Sequence, residues 1–282
     1  MPGLPVPAGQ SSALLFGRYR GNQYAIGHRV EAAIGGLWAQ MIDPAHFNDS
    51  WHRLEPLISG IVDTHHDMSA ADAAEYYSLS RAVAGFYGAT VPGVTLSDEY
   101  RSHVINVMGV GQFFHFLGDG DDAPTASVKA LDALKGASSR LVMNGGRDTV
   151  LKAASSDDNS LGWERILESD HKACNYCSML TGSTGVQKES AARFHAHDSC
   201  YCLARSVFNG QQSVNAGIQA EWKSVTTGKQ GKAATAAWNQ YWSEKDVGPE
   251  RGSSTGTAQE EAGNAAVGAE SERLAAISNQ YP

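Results

Sequence analysis

Basic residues are scarce in this chain of 282: 22 Lys+Arg stand against 30 Asp+Glu, for a net charge of −8. An acidic chain does not coat nucleic acid through its bulk charge, which excludes that class of function. No stretch approaches the roughly 18 consecutive apolar residues of a membrane span, so neither an integral membrane protein nor a membrane partner is expected. The first residues, MPGLPVPAGQSS, place no basic segment ahead of an apolar one, so no secretory leader is expected. Cysteine is rare as well: four in the whole chain are too few for a disulfide scaffold. Apolar residues are not rare. At 42% they suffice for a core and exclude wholesale disorder. The four cysteines also cluster, with Cys174, Cys177, Cys200 and Cys202 inside 29 positions.

Helical periodicity dominates the first half. Residues 1–12 hold prolines, glycines and serines without apolar period and read as a flexible arm. Residues 13–155 then read as a helical domain. Ile34, Leu37, Trp38 and Met41 fall at i, i+3, i+4 and i+7 of a first helix, which Asp43-Pro44 ends. A second helix is expected from Asn48-Asp49-Ser50 along Leu54, Leu57, Ile58, Ile61 and Val62, with Pro56 as a kink or first-turn residue. Ser69–Asp72 opens a third, carrying Tyr76, Leu79, Val83 and Phe86. Ser97-Asp98-Glu99 caps a fourth through Met108, and a fifth runs from about Pro124 past Leu141 toward Ala154. Between them Gly118–Asp122 is a turn; it lacks the twelfth-position glutamate of a calcium loop.

The pattern changes after the polar stretch Ser155–Ser160. Leu161–Leu167, Thr184–Gln187 and Leu203–Phe208 read as short strands, and helices resume at about Val214–Thr226 and Lys232–Glu244. Residues 156–246 therefore form a small α+β cysteine module with two following helices. Residues 247–282 are a low-complexity tail of Gly, Ser, Thr, Ala and Glu, expected to be flexible. The fold class is α+β: mainly helical, with a small Cys/His-clamped module.

Cys174-Asn-Tyr-Cys177 is a C-x-x-C pair, and Cys200-Tyr-Cys202 follows twenty-two residues after it, preceded by His195-Ala-His197. Two such pairs can hold one tetrahedral zinc ion, and His197 is the better of the two histidines to replace a cysteine. The candidate ligands are Cys174, Cys177, His197, Cys200 and Cys202, for one structural Zn. Disulfides across the two loops would staple the same hairpins, and four buried free thiols remain a third reading. Catalytic signatures are missing. There is no H-x-E before a P-C-x-x-C, no H-E-x-x-H and no G-x-S-x-G. A nucleophilic Cys177 with His195 or His197 is a conceivable pair, though two cysteine pairs resemble a clamp more than one activated thiol. Gly228–Ala233 fails the phosphate-loop pattern, and the neighbours His65-His66 do not share a helix face. Between Val186 and Lys232, six basic residues against three acidic ones leave a local +3. Lys223, Lys229 and Lys232, close to Trp222, Trp238 and Trp242, are the candidate DNA contacts, unless the tryptophans are core.

Ala137-Ser-Ser-Arg-Leu-Val-Met-Asn-Gly-Gly-Arg-Asp-Thr-Val150, Leu161-Gly-Trp-Glu-Arg165, Cys174-Asn-Tyr-Cys-Ser-Met-Leu180 and Phe194-His-Ala-His-Asp-Ser-Cys-Tyr-Cys202 follow one another in that order. This string resembles the MuF-like minor capsid proteins of actinobacteriophages over about residues 15–245, most specifically from 137 to 208. Gln187 stands where the family has an aromatic residue, which weakens that strand but leaves the cysteine frame intact. The resemblance implies a non-enzymatic head-morphogenesis protein of the virion, made in the host cytoplasm and placed inside the capsid near the portal. Its implied partners are the portal protein, major capsid or scaffold proteins, and packaged double-stranded DNA. The alternative is a Cys/His hydrolase or metal-dependent effector carried in the capsid.

Overall fold

A computed structural model describes residues 8–88, 91–168, 174–189 and 193–245. The expected tail, 247–282, and the first seven residues of the expected arm lie outside this set. The rest of that arm is not an arm, because helix α1 spans Ala8–Met41. The last proline before it is Pro7, and nothing after that residue breaks the helix.

Asp43 ends this first pass by accepting a hydrogen bond from the Ala45 amide and capping a short turn at Pro44–His46. Helix α2 then runs unbroken over Phe47–Val83, with Pro56 inside it. Two helices were expected here, divided at Ser69. The Ser69 hydroxyl does not cap, because it serves contacts between helices. It donates to Gln23 Oε1 of α1 and accepts from the Gly146 amide. Leu57, placed on the apolar stripe by its spacing, is 47% exposed.

Helix α3, Asp98–Asn106, is capped by Ser97 as its sequence predicts. A π-type turn at Val107–Gly111 carries it into α4, Gln112–Gly118, which periodicity did not signal. Helix α5 spans Ala123–Ser156 straight through Gly145-Gly146. These glycines do not break it; they let it lie against its neighbours. A Cβ on Gly145 would sit 2.6 Å from the His66 carbonyl oxygen, and one on Gly146 2.6 Å from Gln23 Oε1.

Strand β1, Ser160–Ile166, pairs antiparallel with β2, Leu203–Phe208, from Ile166↔Leu203 to Ser160↔Phe208, with an irregularity at Ser160/Gly162. Gly162 has φ 130, and a Cβ there would meet the Gln187 carbonyl at 2.1 Å. The third expected strand, Thr184–Gln187, is only a bridge between Gln187 and Trp163. Without a strand of neighbouring residues in register, one pair of backbone bonds is all it contributes. Helix α6, Asn175–Ser183, was not expected and begins directly on the C-x-x-C pair. Helices α7, Ala216–Thr226, and α8, Gly231–Lys245, follow close to their expected bounds.

The described residues through Ser243 make one compact unit. One core cluster is a helix bundle of Ile34, Trp38, Leu54, Ile58, Leu134 and Leu141 with their neighbours. The other joins the bundle to the module: Tyr19, Tyr76, Tyr77 and Met143 pack with Trp163, Phe194, Cys177, Cys200, Cys202 and Phe208. The end of α5 thus coincides with the expected boundary near 155, but the two sides share one core. Among the described residues no helix is long and apolar enough to cross a membrane.

Candidate metal centre

The C-x-x-C pair sits at a helix N-terminus. Cys174 is the N-cap of α6, and its sulfur accepts the Cys177 amide at 3.3 Å. Such a position favours negative charge, because unpaired amides and the helix dipole face the sulfur. Cys177, one turn on, is buried, whereas Cys174 is partly exposed.

The second half of the centre arrives on the segment before β2, held by one face of α5. Gly136 accepts the Ser199 amide at 3.2 Å, Arg140 pairs with Asp198 at 2.6 Å, and Ser139 donates to the Tyr201 hydroxyl at 3.3 Å. A Cβ on Gly136 would lie 2.8 Å from Ser199 Oγ, so only glycine lets the loop come this near. One turn beyond Met143, Arg147 donates to the carbonyls of Cys200 and Cys202, the latter at 2.9 Å. Positions 136, 139, 140, 143 and 147 recur at helical spacing, so a single stripe of α5 seats the whole loop. The loop itself is strained: His195 and Ser199 have φ of 51 and 56.

The sulfurs and the imidazole then converge. His197 Nε2 lies 2.9 Å from Cys174 Sγ and 3.4 Å from Cys177 Sγ, and Cys177 Sγ lies 3.7 Å from Cys200 Sγ. Cys174, Cys177 and His197 form one triad of donors within 4.8 Å, and Cys177, Cys200 and Cys202 form another. Cys177 belongs to both. Zinc bonds of about 2.3 Å to sulfur and 2.0–2.1 Å to nitrogen place tetrahedral ligands about 3.5–3.8 Å apart. The Cys177–Cys200 and Cys177–His197 separations fall at or near that edge length. His197 Nδ1 is committed to the Asp198 carbonyl at 2.7 Å, which turns Nε2 toward the sulfurs as a lone-pair donor. The chemistry and spacing of the donors fit a thiophilic divalent ion. All four cysteines are free thiols, so the expected alternative of disulfides is not the state seen.

Of the three buried sulfurs, Cys200 is the one whose thiolate its neighbours favour. Hydrogen bonds from Cys177 and then Cys202 hold its thiol well below the usual range, assisted by Arg147. Cys177 is pushed far up, chiefly as the donor to Cys200, and then by its contact with Cys202 and by burial. Cys202 goes up to about 11: its bond with Cys177 lowers it, but Cys200 and burial outweigh that.

A pocket of about 380 Å³ opens over the centre, walled also by His28, Glu31, Glu168 and Tyr201. The Tyr201 hydroxyl donates to Glu31 at 2.8 Å and its ring stacks on His28 at 4.7 Å. This ties α1 to the cysteine loop. Hydrogen bonding to Glu31 raises the His28 pKa against burial. Burial likewise opposes the lowering of Glu31, which its bonds to His28 and Tyr201 win.

Of the other expected groups, His195 is not among the donors; its carbonyl accepts from Arg165 at 3.3 Å. Lys223, Lys229 and Lys232 are exposed. Of the tryptophans beside them, Trp238 is core: it is fully buried, donates to Ser178 at 3.0 Å, and packs on Trp222 and Trp242, which are half-buried. The Trp238 ring therefore braces α6 and offers no platform for bases. His65 and His66 point apart, with Nδ1 of His65 on the Ile61 carbonyl and His66 buried against Gly145. Arg147, Arg165, Phe194 and Tyr201 stand in the strings of the resemblance, but the sequence assigns them no role at the centre. The spacing of Gly136, Ser139-Arg140 and Arg147 along one helical face was the signal available for the first of them.

No curated protein and no solved structure matches this chain. The VG15 protein family matches residues 12–224, a span running from α1 into α7 and taking in every residue of the two donor triads and of the pocket over them. Over that span the chain belongs to the VG15 protein family, a family of phage proteins.

Proposed function

We propose that this chain is a MuF-like minor capsid protein, a non-enzymatic component of head morphogenesis inside the phage capsid near the portal. It binds the portal protein and the major capsid or scaffold proteins, and Lys223, Lys229 and Lys232 meet packaged double-stranded DNA. Membership of a phage family is one support. The observation that carries the reading is the cysteine centre itself: the motifs of the resemblance, spread over 137 to 208, converge on two donor triads that share Cys177. Three of its four cysteines are buried and its histidine is fixed by the Asp198 carbonyl, an arrangement suited to clamping a module with one structural zinc ion.

One contact favours the second reading, a Cys/His hydrolase or metal-dependent effector. Cys174, partly exposed, lies 2.9 Å from His197 Nε2, within reach of a nucleophile–base pair. Virions of a phage carrying this gene, purified and digested for mass spectrometry, test the first reading, together with capture of the portal protein by the tagged chain. Presence in the particle and retention of portal are expected. Absence from virions overturns the capsid role. A fast-reacting Cys174 in metal-loaded protein overturns the clamp.

A further inference from the structure

Two arginines are buried beside the cysteine centre, and the hydrogen bonds around them do not account for their charge. Arg147 is fully buried, with its donors on the carbonyls of Cys200 and Cys202 and on Asn144 Oδ1, all neutral acceptors. Arg165, 4% exposed, directs Nη1 to Cys177 Sγ at 3.7 Å and Nη2 to the His195 carbonyl. Both guanidiniums lie over the ring of Phe194, at 3.8 Å for Arg165 and 4.9 Å for Arg147. Two like charges sharing one buried ring repel, and neutral acceptors satisfy hydrogen bonds without neutralising charge. A nearby anion is needed, and the sulfurs of the centre are the groups in reach to carry it: Cys177 Sγ lies against Arg165, and Arg147 helps hold Cys200 below the usual thiol range. A divalent ion with three thiolates and an imidazole carries net −1, and with four thiolates −2.

We propose that Arg147 and Arg165, joined across Phe194, are the positioning clamp of the cysteine centre, offsetting the negative charge of a thiolate-rich metal complex and setting how tightly it holds the ion. The proposal rests on the metal reading above and extends it to residues outside the ligand set. Arg147 also fixes the geometry, because its fork holds both carbonyls of the Cys200–Cys202 segment while α5 holds the loop on either side. Asp148 is the competing explanation for Arg147, since this carboxylate feels that guanidinium too.

The test is zinc affinity of the full chain, measured by competition with a chromophoric chelator, alongside cobalt(II) absorption and thermal melting of loaded and stripped protein. Arg147→Met and Arg165→Met should each weaken zinc by about 10–100-fold, the usual effect of losing a supporting group around a metal. Arg147→Lys, which keeps the charge but loses the fork, should recover part of that loss, and Asp148→Asn should leave affinity unchanged. Equal melting losses with and without zinc at unchanged affinity would mean a purely structural role and overturn the clamp. So would an Arg147→Lys as weak as Arg147→Met, or an Asp148→Asn that reproduces the effect. Arg165→Met decides alone if Arg147→Met does not fold. Wild-type protein that takes up no zinc or cobalt overturns the metal reading itself, a result separate from a clamp that fails in a metal-binding chain.

Discussion

Cys177 is the residue on which the centre turns, because the two donor triads have nothing else in common. Cys177→Ser should therefore abolish stoichiometric zinc, whereas Cys174→Ser and Cys202→Ser each leave one triad complete and should retain weaker binding. Elemental analysis of the purified variants checks the order; a zinc-replete Cys177→Ser would refute it. Asp157 plays a comparable part away from the centre. Its carboxylate accepts from Arg81 at 2.7 Å, the Tyr77 hydroxyl at 3.1 Å and the Asn159 amide at 3.0 Å, pinning the end of α5 to the end of α2. Burial alone would raise its pKa, but the Arg81 bond and the others lower it overall. A depressed carboxylate stabilises the fold above its unfolded value of about 3.9 and loses that contribution as pH falls through the folded value. Asp157→Asn should cost about 1–3 kcal/mol at pH 7 and much less at pH 3, in denaturation series at the two pH values.

Helix α5 is the organising element, with the bundle on one side and the cysteine loop on the other. Its glycines mark where neighbours touch it. Gly145→Ala would gain up to about 1 kcal/mol in helix propensity, yet its Cβ would meet the backbone of α2 at 2.6 Å. The clash should win, for a net loss of about 1–3 kcal/mol. Gly60→Ala in α2, with open space around it, should instead stabilise by about 0.5–1 kcal/mol. Urea denaturation of both variants reads the two signs, and like signs would refute the argument. The same contrast explains what the sequence made legible. β2, the cap at Ser97 and the stop at Asp43-Pro44 follow from local chemistry, and so do the bounds of β1 and α5 to within a residue or two. The cysteine donors were legible from their spacing. Ser69 was misread because its hydroxyl spends itself on Gln23 and Gly146, partners 46 and 77 positions away. Arg147 and Arg165 stand in the strings that carry the resemblance, but their role is unreadable there for the same reason: a buried arginine shows what it holds only once its surroundings are assembled.

At the scale of the molecule the question is whether the cysteine module is an appendage or part of the core. Tyr19 and Tyr76, from α1 and α2, stack at 4.4 Å in the same cluster that holds Cys177, Cys200 and Cys202. Tyr201 reaches from the cysteine loop to Glu31 of α1 across 170 positions of sequence. The buried pair of Glu164 and Arg205 joins the two strands, and Glu164 also accepts from Ser213 on the way to α7. A module tied in at so many points cannot open while the bundle stays closed. Removing the metal should therefore lower one melting transition rather than split it in two. Free zinc about a hundredfold above its Kd contributes about 2.7 kcal/mol to the folded state. In a unit of this size that corresponds to roughly 5–10 °C. Calorimetry of zinc-loaded and chelator-treated protein should show a single peak displaced by about that much. A low-temperature peak for the module and an unmoved one for the helices would mean that the shared core does not couple them.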